Sequence, residues 1–421
     1  MTRAGGATGR GPARRGHARQ ADAEALLSLL RQDGSLSRAE LARRAGLSKA
    51  MVSSLVDELI TAGIVHETGT GATAPTGGRP PRLIALNPTS RCLVGVAIGA
   101  RVTSVVIADA LGSVLDQRSE PTGRGSPQAA VAVAAGLIVQ ALAEAEIDQT
   151  SIAAIGVVVP GIVDPMTSVC LLAPNLGWRD VPVAELLATR FSAPIFVHNT
   201  AQAVIVAEAE EGAAQGFTDA VCVYASTGIG AGMLRNGRIL VGGEGVAGEL
   251  GHCALPGGTE RCNCGKVGCL ETVASAPAIE RDAARLLAAG RTSSLSQLSR
   301  PPTARDIGAA SYHGDELATE LIRNAAELLG MATSWLVNIV NPGIVILTGG
   351  LAEIGPPMLE PLEAAMRRHA LPQAAASLTL RPAAFGPDAP LRGAVLLARQ
   401  YADDHFRTVF HNDRNSAGRH S

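Results

Sequence analysis

The 421-residue sequence contains no apolar run of the roughly 20 residues that a membrane-spanning helix requires, and its first 20 residues lack the hydrophobic segment of a secretory signal. Neither membrane insertion nor export is expected, which leaves the cytoplasm as the expected compartment. There the seven cysteines should stay reduced, so a disulfide framework is disfavoured and any cluster of them becomes a candidate metal site. Aromatic residues are scarce at 3% and charged residues make up 18% against 47% hydrophobic, which is the composition of a globular chain. Its length exceeds one ordinary core and implies about two to four domains. No sign of charge dominates, the formal net charge being −2. The distribution is nevertheless uneven: residues 1–82 carry 12 Lys and Arg against 7 Asp and Glu, and residues 83–421 carry 24 against 31. A basic front on an acidic body suits a nucleic-acid-binding module.

Residues 1–20, MTRAGGATGRGPARRGHARQ, have no apolar periodicity and are expected to form a disordered basic tail. A helical module is expected over 21–88. Leu26, Leu27, Leu29 and Leu30 mark a first helix from Asp22 to Leu30. Ser37, with Glu40 three residues on, predicts a capping box that opens a two-turn helix stopped by Gly46. Ser48 then caps a third helix whose Val52, Leu55, Val56, Leu59 and Ile60 form one buried stripe. The opposite face begins Ser48, Lys49, Ala50, Ser53, Ser54. Small and polar residues there are what entry into a DNA major groove requires, because bulky side chains would hold the helix off the bases. IVHET and RLIALNP read as a two-stranded wing whose glycine-rich tip carries Arg79, in reach of a minor groove. Three such helices can also serve a protein partner, but a helix-turn-helix followed at once by a basic wing is more specific than either part alone.

After Pro88, CLVGVAIGARVTSVVIADALGSVLDQ reads as three antiparallel strands joined by tight turns. A similar pattern recurs in DAVCVYASTGIGAGMLRNGRILVG, and between them lie a helix over about 127–146 and strands at IAAIGVVVPG and PIFVHN. Two sheet-plus-helix units in tandem predict a two-lobed α/β body with a ligand cleft between the lobes.

These residues carry a resemblance. ASTGIGAGMLRNGRILVGGEGVAGELGH and CNCGKVGCLE resemble the ROK family (repressor, open reading frame, kinase), in its repressor branch, over about residues 22–400. The resemblance implies an actin-like, ribonuclease-H-like body behind a winged helix-turn-helix: a first lobe over 89–199 completed by a C-terminal helix at about 391–402, a second lobe over 200–390, and a disordered tail over 403–421. It also implies where a kinase would do its chemistry. The kinases open with Asp-x-Gly-Gly-Thr against ATP phosphate, where this chain has Ala97, Gly99, Ala100 and Arg101. They carry an Asn-Asp pair whose Asp takes the proton from the sugar hydroxyl, where this chain has Asn199 followed by Thr200. General-base help is worth roughly 10²–10⁴-fold in rate, and a neutral hydroxyl cannot supply it at neutral pH. Two losses at the two places that organise phosphoryl transfer argue against an enzyme. The glycines of STGIGAG (226–232) and Gly349-Gly350 resemble nucleotide-binding turns, yet tight turns need glycine with or without phosphate.

The family's sugar-contacting positions fare better, matching Asn175, Asn199, Glu249, His252 and Glu271. Carboxylates and amides in this mixture suit adjacent sugar hydroxyls, each both donor and acceptor. His252, Cys262, Cys264 and Cys269 repeat the family's zinc motif as H-x9-C-x-C-x4-C, and a closed Cys₃His set implies a structural zinc rather than a catalytic one. Cys253 has no counterpart in that motif. The resulting expectation is a sugar-responsive transcriptional repressor that binds a double-stranded operator as a homodimer or homotetramer. The rival expectations are a ROK sugar kinase fused to a DNA-binding domain, and a DNA-binding protein controlled by a protein partner.

Overall fold

Serine side chains open the two helices of the helix-turn-helix. The computed structural model describes residues 12–71, 80–123, 126–376 and 378–402. Helix α1 spans Pro12–Asp33, α2 Arg38–Ala45 and α3 Lys49–Thr61. The Ser37 side chain accepts from Glu40 N–H and that of Ser48 from Met51 N–H, while Gly46 ends α2 in the left-handed conformation at φ 67°. Leu26, Leu30, Leu41, Val52, Leu55, Val56 and Leu59 are buried together beneath Ile84, so the stripe on α3 does face the core.

Three details depart from expectation. Helix α1 starts at Pro12 rather than Asp22, so residues 12–20 are helical where a disordered tail was expected. Proline suits a first helical turn, and further along the helix Arg19 pairs with Glu58 of α3 at 2.6 Å. At α2 only half of the capping box forms, because Glu40 turns to Arg43 on its own helix instead of reaching back to Ser37. The wing has three strands, β1 (Ser35–Ser37), β2 (Val65–Thr70) and β3 (Arg82–Leu86), in antiparallel order β1-β3-β2. Arg79 lies outside the described residues, as do residues 1–11 and 403–421.

A joint of five residues leads from β3 to the body. Asn87 donates its amide to Gly63 O at 3.0 Å and its N–H to Ile64 O at 2.8 Å, while its side-chain oxygen accepts from Thr89. Pro88 O accepts from Ala110 N–H at 3.2 Å.

The first lobe is built on a sheet of β4 (Cys92–Ile98), β5 (Val102–Asp109), β6 (Val114–Pro121), β7 (Ile152–Val159) and a strand at Ile195–Asn199, in order β11-β7-β4-β5-β6 with that last strand as β11. Helices α4 (Pro127–Glu144) and α5 (Val183–Ala188) cover one face of it. By length and composition α4 could cross a membrane, but its Ala134, Ile138 and Ala141 are fully buried against the sheet, as in a core helix. A small antiparallel sheet of β8 (Ile162–Val163), β9 (Cys170–Ala173) and β10 (Trp178–Val181) precedes α5.

Helix α6 (Thr200–Glu210) leads into the second lobe, whose sheet has the order β14-β13-β12-β15-β16. Its strands are β12 (Ala220–Ala225), β13 (Ile229–Arg235), β14 (Arg238–Ile239), β15 (Ile344–Thr348) and β16 (Thr379–Pro382). Helices α7 (Glu271–Ala274), α8 (Ala276–Ala288), α9 (Ala304–Tyr312), α10 (Glu316–Val340) and α11 (Pro356–His369) lie on one face of it, followed by the short α12 (Pro372–Ala376). On the other face lies α6, crossed by the last helix, α13, over residues 389–402. This crossing is made by absent side chains: a Cβ on Gly393 would run into Ala203 O of α6, and one on Gly156 of β7 into Ala394 O of α13.

The long α10 depends on its cap. Asp315 accepts from Ala318 N–H at 3.0 Å and from Ser294 N–H at 2.7 Å, and both Ser293 and Ser294 donate hydroxyls to it. Burial opposes ionisation of this carboxyl, but the hydrogen bonds prevail and hold it at about 2. Its stabilisation is complete above the ordinary carboxylate value and is lost as pH falls from about 4 towards 2. Asp315→Ala should cost about 1–2 kcal/mol, the usual price of a lost cap. Thermal denaturation at pH 7 and pH 3 tests this, the wild-type advantage being smaller at pH 3.

Candidate ligand cleft and metal centre

Four of the five expected sugar-contacting residues converge between the lobes. Asn175 follows β9 in a single 3-10 turn, and its amide donates to Glu271 Oε1 at 3.3 Å and to Thr227 O at 3.4 Å. Glu271 is buried and accepts from Ile229 N–H at 2.9 Å through its other oxygen. The turn between β12 and β13 can approach these two side chains only as glycine: a Cβ on Gly228 would lie 2.8 Å from Glu271 Oε2 and 2.9 Å from Asn175 Nδ2. Glu249 faces the His252 ring, Oε2 to Nε2 being 3.8 Å. Burial, with a smaller contribution from the Glu271 charge, pushes the Glu249 carboxyl up to about 7. The cleft thus holds two carboxyls, an amide and an imidazole, donors and acceptors in the mixture that vicinal hydroxyls match.

Asn199 stands apart from this group. Its Oδ1 accepts from Ala201 and Gln202 N–H as the cap of α6, and its Nδ2 donates to Gly161 O at 2.8 Å. Among the described residues no hydrogen bond joins it to the other four. Gly161 packs against Leu172 and Ala173, just ahead of Asn175, so Asn199 reaches the cleft through the loop that carries Asn175.

The metal candidates do converge. Ligand atoms of His252, Cys262, Cys264 and Cys269 lie within 4.8 Å of one another, a group that could hold a metal ion. His252 Nδ1 is 3.6 Å from Cys262 Sγ, and the Cys264 and Cys269 sulfurs are 3.7 Å apart. Gly265 and Gly268 turn the loop at φ 94° and 80°. Burial raises the Cys262 thiol to about 12. Cys264 is also disfavoured by burial, but hydrogen bonds from Lys266 N–H and the neighbouring thiols outweigh this and hold it below the usual thiol range. Cys253 is exposed and outside the cluster.

Two contacts escape sequence reasoning because they join segments far apart in the chain. Asn263, between two of the cysteines, donates to Asn175 Oδ1 at 3.1 Å and so ties the metal loop to the opposite lobe. Arg101, at the resembled phosphate turn, reaches across to Glu280 of α8, with N–O distances of 2.7 and 3.4 Å. The turn itself is tight: Gly99 N–H donates to Val102 O at 2.9 Å. Gly349, at φ 85°, sits so close to Ala225 O that a Cβ would be 2.5 Å from it, a packing reason for glycine at that position.

On the helix-turn-helix, Ser48, Lys49, Ala50 and Ser54 are exposed and Ser53 is half-buried. Ser48 is engaged as the cap of α3. Arg19 donates to Ser54 Oγ at 2.7 Å, and Arg38 donates to Ser53 O at 3.2 Å while pairing with Asp57 at 2.7 Å. Two arginines absent from the expected set therefore flank the helix.

Comparison with known proteins agrees with this architecture. Residues 93–401 match the ROK family model, and residues 24–66 match a winged helix-turn-helix DNA-binding model. The chain is 32% identical over 317 residues to a glucokinase of Halalkalibacterium halodurans, covering 74% of this chain and 96% of that protein. It is 30% identical over 357 residues to the N-acetylglucosamine repressor of Escherichia coli O6:H1, covering 84% and 86% respectively. Among solved structures, a ROK family transcriptional regulator homologous to the E. coli MLC protein superposes with a TM-score of 0.80 at 27% identity, over 93% of this chain and 98% of that one.

Proposed function

The chain belongs to the ROK family, and from that premise we propose that it is a cytoplasmic, sugar-responsive DNA-binding regulator that represses carbohydrate-metabolism genes and whose kinase-like body binds a sugar without phosphorylating it. One observation carries the reading. A winged helix-turn-helix is fastened to a body whose cleft gathers Asn175, Glu249, His252 and Glu271, while Ala97 and Thr200 stand where the family's kinases place carboxylates. The likeness to a repressor over 84% of this chain supports it, since the glucokinase match covers 74%. Gel shifts on the DNA flanking its own gene, with and without glucose, N-acetylglucosamine, mannose and xylose, test the reading directly.

The alternative is a sugar kinase carrying a DNA-binding domain, which the glucokinase relative favours. A coupled ADP assay over the same sugars decides between them. No turnover above the sugar-free background is expected from the wild type, and Thr200→Asp should not restore any, because Ala97 and Ala100 persist and Arg101 remains committed to Glu280. Turnover by the wild type would replace the regulatory reading with the enzymatic one.

In this reading the metal is a structural zinc. A tetrahedral ion about 2.3 Å from sulfur and 2.0–2.1 Å from nitrogen sets sulfur–sulfur edges near 3.8 Å and sulfur–nitrogen edges near 3.6 Å. The observed 3.7 and 3.6 Å fit these edges. The ion would hold the loop; His252 Nε2, turned towards Glu249, is left to the cleft. DNA contact falls to the α3 face with Lys49, and to Arg79, in the stretch of sequence between β2 and β3. A homodimer or homotetramer is supported by exposed Ile339 and Leu371, 78% and 61% accessible and linked through Asn338.

A further inference from the structure

We propose that Arg392 of α13 is a positioning residue that couples occupancy of the cleft to the DNA-binding domain, through α6 at one end and the Asn87 joint at the other. The inference rests on the regulatory reading above and adds the route by which it would operate.

Helix α6 has one end at each side of the question. At its first turn, both polar atoms of Asn199 are committed, the oxygen to Ala201 and Gln202 N–H and the amide to Gly161 O beside the Asn175 loop. The oxygen already accepts two hydrogen bonds, so a hydroxyl that donates to it competes with the cap, while one that accepts from the amide can use its second N–H beside the Gly161 contact; a ligand there acts on the start of α6 through the oxygen. An 11-residue helix carries such a displacement about 16 Å to its other end. Close packing opposes sideways relaxation: α6 and α13 approach at Ala203 and Gly393 so tightly that a Cβ on Gly393 would run into Ala203 O, and only the Ala203 methyl lies beside the contact.

The far end of α6 is held by charge. Arg392 Nε donates to Glu211 Oε2 at 2.5 Å, and Arg399 pairs with Glu210 at 2.6 Å and with Glu211 at 3.7 Å. Gln400 adds a bond to Glu210 Oε1 at 2.6 Å. Two carboxylates next to the negative end of a helix are unfavourable alone, and the arginines of α13 offset both charges and the dipole. What distinguishes Arg392 is its second partner: it also donates to Gly112 O, in the turn between β5 and β6. Two residues of that turn are tied into a compact loop by Asp109, whose carboxylate accepts from Leu111 and Ser113 N–H. The same turn grips the joint, Ala110 N–H donating to Pro88 O. Asn87 next door binds Gly63 O and Ile64 O, the residues that follow α3. A continuous chain of bonds thus runs from the cap of α6 to the base of the helix that would read DNA.

A purely structural Arg392 would stabilise the fold and leave communication untouched. The two roles separate in one quantity, the ratio of DNA dissociation constants with and without saturating sugar. It is read by fluorescence anisotropy on the full chain, with the duplex flanking its own gene and whichever of glucose, N-acetylglucosamine, mannose or xylose binds by calorimetry. Allosteric ratios typically span about 5- to 150-fold. In Arg392→Ala, sugar and DNA affinities measured separately should stay within about threefold of wild type, while the ratio falls to within about twofold of unity. Arg392→Lys, which keeps the charge but not the forked geometry that serves Glu211 and Gly112 together, should fall most of the way. Asn87→Ala, at the half-buried far end, should do the same if the arginine variants fail to fold. Arg300→Ala, which breaks an ion pair with Asp306 away from the route, should leave the ratio at the wild-type value. Wild-type ratios in both Arg392→Lys and Asn87→Ala would overturn the inference. A wild type that binds sugar and DNA without coupling overturns it as well, whereas one that binds neither overturns the regulatory reading and takes this route with it.

Discussion

Replacing Cys264 with serine is expected to reduce bound metal from about one zinc per chain to near zero and to weaken sugar binding by at least about tenfold. The size of the effect follows from where the loop's contacts end. Between Cys253 and Leu270 the backbone is held by scattered turns and two isolated bridges, with no helix to stiffen it. Once the ligands separate, three cleft elements lose support together: His252 itself, Asn263 against Asn175, and Glu271, which starts α7 directly after the loop. Elemental analysis and calorimetry on wild type and variant give the answer. A folded, metal-free wild type that binds sugar at full strength would sink the zinc assignment and its link to the cleft.

Raising the salt from 50 to 200 mM should weaken operator binding by about 10³–10⁵-fold if six to ten phosphates are contacted, since each contact releases counterions with a log–log slope near −0.9. The charge layout requires the positive front to supply those contacts, because the body past residue 82 carries 24 basic against 31 acidic residues. Lys49→Ala should reduce the slope by about one unit if that side chain meets a phosphate. Arg38 and Arg19 already spend charge on Asp57 and Glu58, so their loss should act more through α3 packing than through the slope. Binding that ignores salt would remove DNA from the account.

Much of this molecule is legible in its sequence, and the limits have physical causes. Local chemistry reads well: Ser37 and Ser48 announce helix starts, and the strand runs after Pro88 alternate with turn residues as strands must. The wHTH and the two-sheet body follow from such signals. The His252, Cys262, Cys264 and Cys269 group is legible because cysteines at that spacing have few other uses where thiols stay reduced. What escaped depends on contacts between distant segments. Strand β1 is three residues long and forms only because β3 offers an edge. Residues 12–20 have no apolar stripe to announce a helix, though Arg19 finds Glu58 39 positions away. In the cleft, Asn175 and Glu271 could be named from motifs, but no motif signals that Asn263 braces one of them or that Arg101 bridges the lobes. Asn199 shows the converse, a residue named for a ligand whose polar atoms are engaged by the protein.

The joint at Asn87 bears on how the protein would measure DNA. Five extended residues could reach about 17 Å, enough for a tethered reading head to sample neighbouring sites. Here the segment is folded back and bonded on both sides, to Gly63 and Ile64 behind and to Ala110 ahead. In any twofold assembly of this chain the separation of the two reading helices is then a property of how the bodies pack, and operators whose half-sites are spaced differently are rejected by geometry before any base is read.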